Sequence, residues 1–356
     1  MDLPKLKIGN LEAKFPIIQG GMGIGVSLAN LAAAVANEGG IGIISGAQTG
    51  YKEGNFKTKN DLANKNGIIK EIRKAKKLSP NGIIGINFLQ ASHNYAELVK
   101  TAVKEKVDLI ISGAGLPKKL PSYVKGSDTK IAPIVSSARA AKLLTRLWKR
   151  KFDYLPDAIV VEGKKAGGHL GFKRKDLEDD KIDDLKTIVS NVVKTIKPFE
   201  EKFNQSIPII AAGGIFSGKD IKEFLNLGAS GVQMATRFVT TKECDAAKEF
   251  KKAYVDAKKE DIGLIQSPVG LPGKVLKNNF YQKVTKNNLP IKNCYRCLRG
   301  CNPKVAPFCI TEALIDAVNG DIENGLVFIG DNGYKVNEIL SVKELLQKIK
   351  KEYLNN

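Results

Sequence analysis

The chain has 356 residues, 43% of them hydrophobic, with 34 glycines, which suits a globular enzyme with a sizeable core rather than a disordered or fibrous chain. Its net charge of +20 rests on 57 basic residues of which only eight are Arg, with lysines scattered over polar faces such as 70–77; readers of bases and phosphates lean on clustered Arg, so specific nucleic-acid binding is not expected. No run of 18 or more apolar residues occurs and the start, Asp2-Leu3-Pro4-Lys5, carries no apolar signal, so neither a membrane span nor export is expected and a cytoplasmic location follows.

Short apolar, β-branched runs recur along the chain with helical patterns between them. The first candidate strand is 15–19, followed by Gly20-Gly21-Met22-Gly23 and a helix over 28–37. Strand 40–45 leads to a helix over 61–78, and strand 83–88 ends near Asn87 before a helix over 95–105. Strand 108–112 runs into Gly113-Ala114-Gly115, and strand 131–136 into a helix over 138–150. Strand 158–162 ends at Glu162 and opens a loop, Gly163-Lys164-Lys165-Ala166-Gly167-Gly168-His169-Leu170-Gly171. A helix over 182–196 and strand 207–211 follow, then Ala212-Gly213-Gly214 and a helix over 218–227, and the last strand, 231–235, carries Gln233-Met234-Ala235-Thr236. Eight strands at βα spacing predict an α/β fold, a closed (β/α)8 TIM barrel, rather than an open doubly wound sheet. Gly21-Met22-Gly23-Ile24-Gly25 lacks the spacing of a dinucleotide fingerprint. We assign residues 1–262 to the barrel. Residues 263–356 form a C-terminal cap segment with a Pro- and Gly-rich loop at 266–273, a cysteine-bearing stretch, and helices over 307–319 and 342–353.

Barrel enzymes work at the C-terminal ends of their strands, and that is where the glycine-rich loops fall. Gly213 and Gly214 open a helix and offer backbone N–H groups to an anion, with Ser217 and Asp220 placed to cap that helix. Thr236 ends the neighbouring strand. Gly21 and Gly23 let a flat ring approach the backbone, and Met22 offers a polarisable thioether to its face. Asn87 and Gln233 are amides suited to ring carbonyls and nitrogens. A phosphate nest, amides and a glycine platform together describe FMN, which would carry the redox step while the protein orients it and handles protons. His169, one of two histidines, is the natural proton-handling group. The other, His93, reads as structural or exposed.

The phrases Pro16-Ile17-Ile18-Gln19-Gly20-Gly21-Met22-Gly23, Ile86-Asn87, Glu162 to Gly171, Ile209 to Ile215 and Gly231 to Phe238 resemble, in order, those of the nitronate monooxygenase family, whose FMN-dependent relatives include the flavin enoyl-acyl-carrier-protein reductases. The resemblance implies flavin contacts from Gly21, Met22, Gly23, Asn87, Glu162, Gly167, Gly213, Gly214, Gln233, Met234, Ala235 and Thr236, and catalysis by His169. It implies a small-molecule substrate: a nitronate oxidised with O2, or an enoyl thioester on acyl carrier protein (or a quinone) reduced with NAD(P)H. A homodimer is compatible with it. Glu162 departs from the Gln common in that family, Lys165 from Glu and Ala235 from Gly. The Lys164-Lys165 pair is expected to disfavour the imidazolium form of His169 and to attract anions.

Cys294-x2-Cys297-x3-Cys301-x7-Cys309 places four of the five cysteines within 16 positions. Reduced thiols are expected. Their spacing leaves three readings open: packing on one face, zinc, or an iron–sulfur cluster. No metal ligand is assigned among them.

Overall fold

The structure is a computed structural model and describes residues 3–355. The chain begins with a hairpin of β1 (Leu6–Ile8) and β2 (Leu11–Ala13), turned by Gly9 in the left-handed region. The barrel follows in chain order. β3 (Ile17–Gln19) leads to α1 (Ala29–Asn37), β4 (Ile41–Ser45) to α2 (Asn60–Leu78), and β5 (Ile83–Leu89) to α3 (Tyr95–Lys104). β6 (Leu109–Gly113) leads to α4 (Leu120–Val124), and β7 (Lys130–Val135) to α5 (Ala138–Phe152). β8 (Ile159–Glu162) is followed by β9 (Gly168–His169), α6 (Arg174–Glu178) and α7 (Leu185–Phe203). β10 (Ile209–Ala212) leads to α8 (Gly218–Asn226), and β11 (Gly231–Met234) to α9 (Thr236–Val239) and α10 (Lys248–Val255). The eight strands β3 to β8, β10 and β11 pair in parallel and close, β10 joining β8 on one side and β11 on the other. The closed (β/α)8 barrel expected from the spacing is therefore observed, with each strand within two residues of its expected position.

Period-2 alternation explains the closure. Ile18, Ile41, Ile43, Leu109, Ile111, Val160 and Ile210 point inward and pack with Leu6 and Ile8 of the first hairpin. Leu6 also lies against Gly231, at the start of β11, so the hairpin plugs the end of the barrel away from the strands' C-termini. The alternate residues, among them Ile44, Ile86, Ile110, Ile159, Val161 and Val232, face outward into the helix layer. Burying both faces is what makes these strands read as continuous apolar runs.

After α10 the chain forms β12 (Ile262–Gln266), β13 (Pro272–Leu276), α11 (Asn279–Lys286), α12 (Ile310–Val318) and α13 (Val342–Leu354). β12, β13 and β9 make a three-stranded antiparallel sheet in which Gly273 faces His169 and Lys274 faces Gly168. α13 returns to the helix ring and packs against α8, α1 and α9. The helix expected over 182–196 is longer, reaching Phe203 through Pro198.

Candidate active site

One cavity at the C-terminal ends of the strands brings together all thirteen residues singled out above, from Gly21, Met22 and Gly23 through Asn87, Glu162, Gly167 and His169 to Gly213, Gly214 and Gln233 to Thr236. Their backbone setting follows from local sequence. Gln19 is fully buried at the end of β3. Its Oε1 accepts the Ile43 N–H at 3.0 Å and its Nε2 donates to the Gly20 carbonyl, which braces the first glycine loop. A Cβ on Gly21 would lie 2.4 Å from the Asn87 Cβ, and one on Gly23 would lie 2.6 Å from Ser45 Oγ. Glycine is thus required there by the neighbours. Met234 is buried in the core, so its side chain serves packing. Its carbonyl accepts the Gly20 N–H at 2.8 Å.

Gly213 and Gly214 have φ of 95° and 89°, which aims successive N–H groups to one side as an anion nest requires. The capping box at Ser217 and Asp220 is present as well, so the turn does both jobs. Asn332 donates from Nδ2 to the Gly214 carbonyl at 2.5 Å, tying the turn to the C-terminal segment.

His169 is half-buried. Its Nε2 lies 2.8 Å from Ser267 Oγ, and its ring meets Phe328 edge-on at 4.9 Å. Tyr254 Oη donates to the Phe328 carbonyl and so holds that ring in place. Burial lowers the imidazole to about 4, leaving it neutral at physiological pH. The expectation that Lys164 and Lys165 would do this is corrected in its cause. Lys164 Nζ turns away to Asp180, at 2.5 Å, and to the Ile182 carbonyl, at 2.8 Å, and desolvation alone accounts for the shift. Ser267, Phe328, Tyr254 and Asn332 were not singled out from the sequence. The 266–273 loop stands out in the sequence for its Pro and Gly, but nothing local ties Ser267 to a histidine 98 positions earlier.

Glu162 carries no partner among the described residues, and burial raises its carboxyl to about 7. The Oε1 of Gln233 is buried without a hydrogen-bond partner among the described residues. An orphaned acceptor costs free energy unless a donor reaches it. With the glycine cradle, it fits a flat heterocycle bearing an N–H. His93 is exposed and lies outside this cavity. Among the described residues no helix is long and apolar enough to cross a membrane.

A comparison with curated proteins finds a probable nitronate monooxygenase of Staphylococcus aureus, 25% identical over 301 residues, covering 78% of this chain and 79% of that one. A (3aS,4S,5R,7aS)-5-hydroxy-7a-methyl-1-oxo-octahydro-1H-indene-4-carboxyl-CoA dehydrogenase of Mycobacterium tuberculosis is 27% identical over 269 residues, covering 76% of this chain and 65% of that one. Among solved structures, FabK from Thermotoga maritima superposes with a TM-score of 0.75 at 29% identity, covering 96% of this chain and 94% of that one. A nitroalkane oxidase from Streptomyces ansochromogenes shares the fold, with a TM-score of 0.72 at 21% identity over 96% of each chain. The family model of nitronate monooxygenase matches residues 5–352, and with the closed barrel and its cavity this establishes that the chain is a flavin-type oxidoreductase belonging to the nitronate monooxygenase family.

Proposed function

We propose that the chain is an FMN-dependent nitronate monooxygenase that binds an anionic nitronate beside His169 and oxidises it with O2. The carrying observation is the neutral imidazole of His169, fixed by Ser267 and Phe328 in the same cavity as the glycine turns. FMN, when bound, supplies the redox chemistry, taking electrons from the substrate and passing them to O2. The Gly213-Gly214 turn would hold its phosphate. Gln233 Oε1 would accept a ring N–H, and Glu162, protonated below about 7, would donate without placing a charge against the ring. Ser267 Oγ already accepts the Val269 N–H at 3.2 Å. Its second lone pair is still open, so the contact with His169 fits either tautomer; with the hydroxyl proton given to Nε2, the ring proton stands on Nδ1 for an anionic oxygen in the cavity. A neutral nitroalkane would need the opposite tautomer, with His169 acting as general base.

The second reading is an NAD(P)H-dependent reductase of an enoyl thioester, and the similarity to FabK over nearly the full length of both chains favours it. Anaerobic mixing separates the two. A nitronate that bleaches the flavin absorbance while NADH and NADPH do not supports the monooxygenase. Rapid bleaching by a nicotinamide alone overturns it in favour of the reductase.

A further inference from the structure

Between α11 and α12 the chain runs for 23 residues, 287–309, with no helix or strand. So long an irregular stretch in a compact domain is uncommon and is usually functional. All four clustered cysteines lie in it, none of them in a disulfide. Cys297 shares one apolar cluster with Phe308, and Tyr295 shares another with Cys309, so the strap folds back and brings the 294–301 run to Cys309. The four-cysteine group is therefore formed by the fold and not only by the spacing.

What this group can hold follows from its geometry. Among the described residues no three His, Cys, Asp or Glu side chains surround a single point as one metal ion requires. A lone zinc would draw its sulfurs to about 2.3 Å from one centre. An iron–sulfur cluster places each thiolate on a separate iron, so its ligands stand farther apart than those of a single ion. Four cysteines on one strap are the number that the second case needs. The surroundings suit thiolates: Cys309 stands at the N-terminal end of α12, the positive end of its dipole, and Arg296 and Arg299 add positive charge. Three of the cysteines fall within eight residues, as compact as the runs that hold iron–sulfur clusters.

The stretch also lies against the active-site wall. His93 N–H donates to the Cys297 carbonyl at 3.1 Å and Arg299 N–H to the Ala91 carbonyl at 3.0 Å, pinning the strap to the loop after β5, whose Leu89 lines the cavity. α12, which begins after Cys309, puts Leu314 into the same cavity.

We propose that Cys294, Cys297, Cys301 and Cys309 bind a [4Fe–4S] cluster next to the flavin site. Assembly releases four thiol protons and forms four iron–thiolate bonds, with two ferrous ions, two ferric ions and four sulfides as co-reactants, which leaves a core of charge 2+ and needs no further oxidant. The product is a one-electron centre beside a site that handles electron pairs.

The test is anaerobic reconstitution of the full chain with ferrous and ferric iron and sulfide, followed by metal and sulfide analysis and by low-temperature electron paramagnetic resonance after dithionite reduction. About four iron and four sulfide per chain are expected, with a rhombic signal after reduction. Cys297→Ser and Cys294→Ser should both abolish the signal, and Cys244→Ser should keep it. Cys294 is exposed, so its loss cannot be ascribed to misfolding. Less than one iron per chain, zinc in place of iron, or full iron retained by Cys294→Ser would overturn the proposal.

Discussion

Glu162 and His169 face one cavity with shifts of opposite kind, and each has a sign that can be worked out. Burial raises Glu162 from 4.5 to about 7, so between those values the unfolded chain ionises first and stability falls as pH rises. Burial lowers His169 from 6.5 to about 4, so in that window the unfolded chain protonates first and stability falls as pH drops. Between about pH 4.5 and 6.5 the two slopes oppose each other. Cofactor-free protein should therefore show a comparatively flat melting temperature there. Glu162→Gln should leave a profile that climbs with pH, and His169→Asn one that declines. Thermal melts of the three proteins across that range check this, and parallel profiles would remove the assigned shifts. The same two groups explain why the loop combines a strand-end acid with a histidine: burial keeps the carboxyl neutral below about pH 7 and the imidazole neutral above about pH 4, so between those values a bound ring or substrate meets hydrogen-bonding groups rather than fixed charge.

At the scale of elements, the turn between β10 and α8 separates binding from stability. A Cβ at Gly213 would lie 2.9 Å from the Gly163 carbonyl oxygen, on a residue whose φ of 95° disfavours side chains. Gly213→Ala should thus lower flavin content by distorting the nest. Gly228→Ala, at φ 94° after the same helix, meets only Val193 at 3.2 Å; it should cost about 1 kcal/mol of stability and leave flavin stoichiometry unchanged. Flavin absorbance per chain and thermal melts distinguish the two, and equal flavin loss in both would sink the distinction. The contrast also marks what the sequence makes legible. Both-faces-apolar strands such as 83–88 and 158–162, and glycine turns at their ends, announce themselves locally, so the barrel and its glycine turns could be read from order and spacing, whereas Glu162, Gly167, Met234 and Ala235 enter only through the family resemblance. The β9–β12–β13 sheet could not. β9 has two residues, and its partner is more than 100 positions away. Ser267 and Phe328 reach His169 only through that pairing. The hairpin β1–β2 carries its own local signal in Gly9-Asn10, flanked by apolar residues.

For the whole molecule, the last helix supports the first chemistry of the barrel. α13 fills the gap in the helix ring between α8 and α1, where the short α9 leaves the eighth strand without a full helix of its own. Contact there is close: a Cβ on Gly218 would sit 2.2 Å from the Tyr353 nitrogen. Glu352 Oε2 accepts the Gly218 N–H at 2.9 Å and pairs with Arg237 Nη1 at 3.0 Å. That guanidinium, 7% exposed, also donates to the Phe216 carbonyl and lies over the Phe216 ring. One carboxylate of the C-terminal helix thus joins the start of α8, directly after the Gly213-Gly214 turn, to the helix that follows Thr236. Removing it leaves a buried cation short of its counter-charge, which costs about 3 kcal/mol. Glu352→Ala should therefore melt several degrees lower and bind flavin more weakly, although residue 352 lies outside the cavity. Glu338→Ala is the comparison. Its pair with Lys348 is more than 40% exposed on both sides, and exposed pairs contribute little. Titration of flavin into both variants, beside their melts, decides the point. Equal behaviour of the two would mean that the C-terminal helix merely covers the barrel.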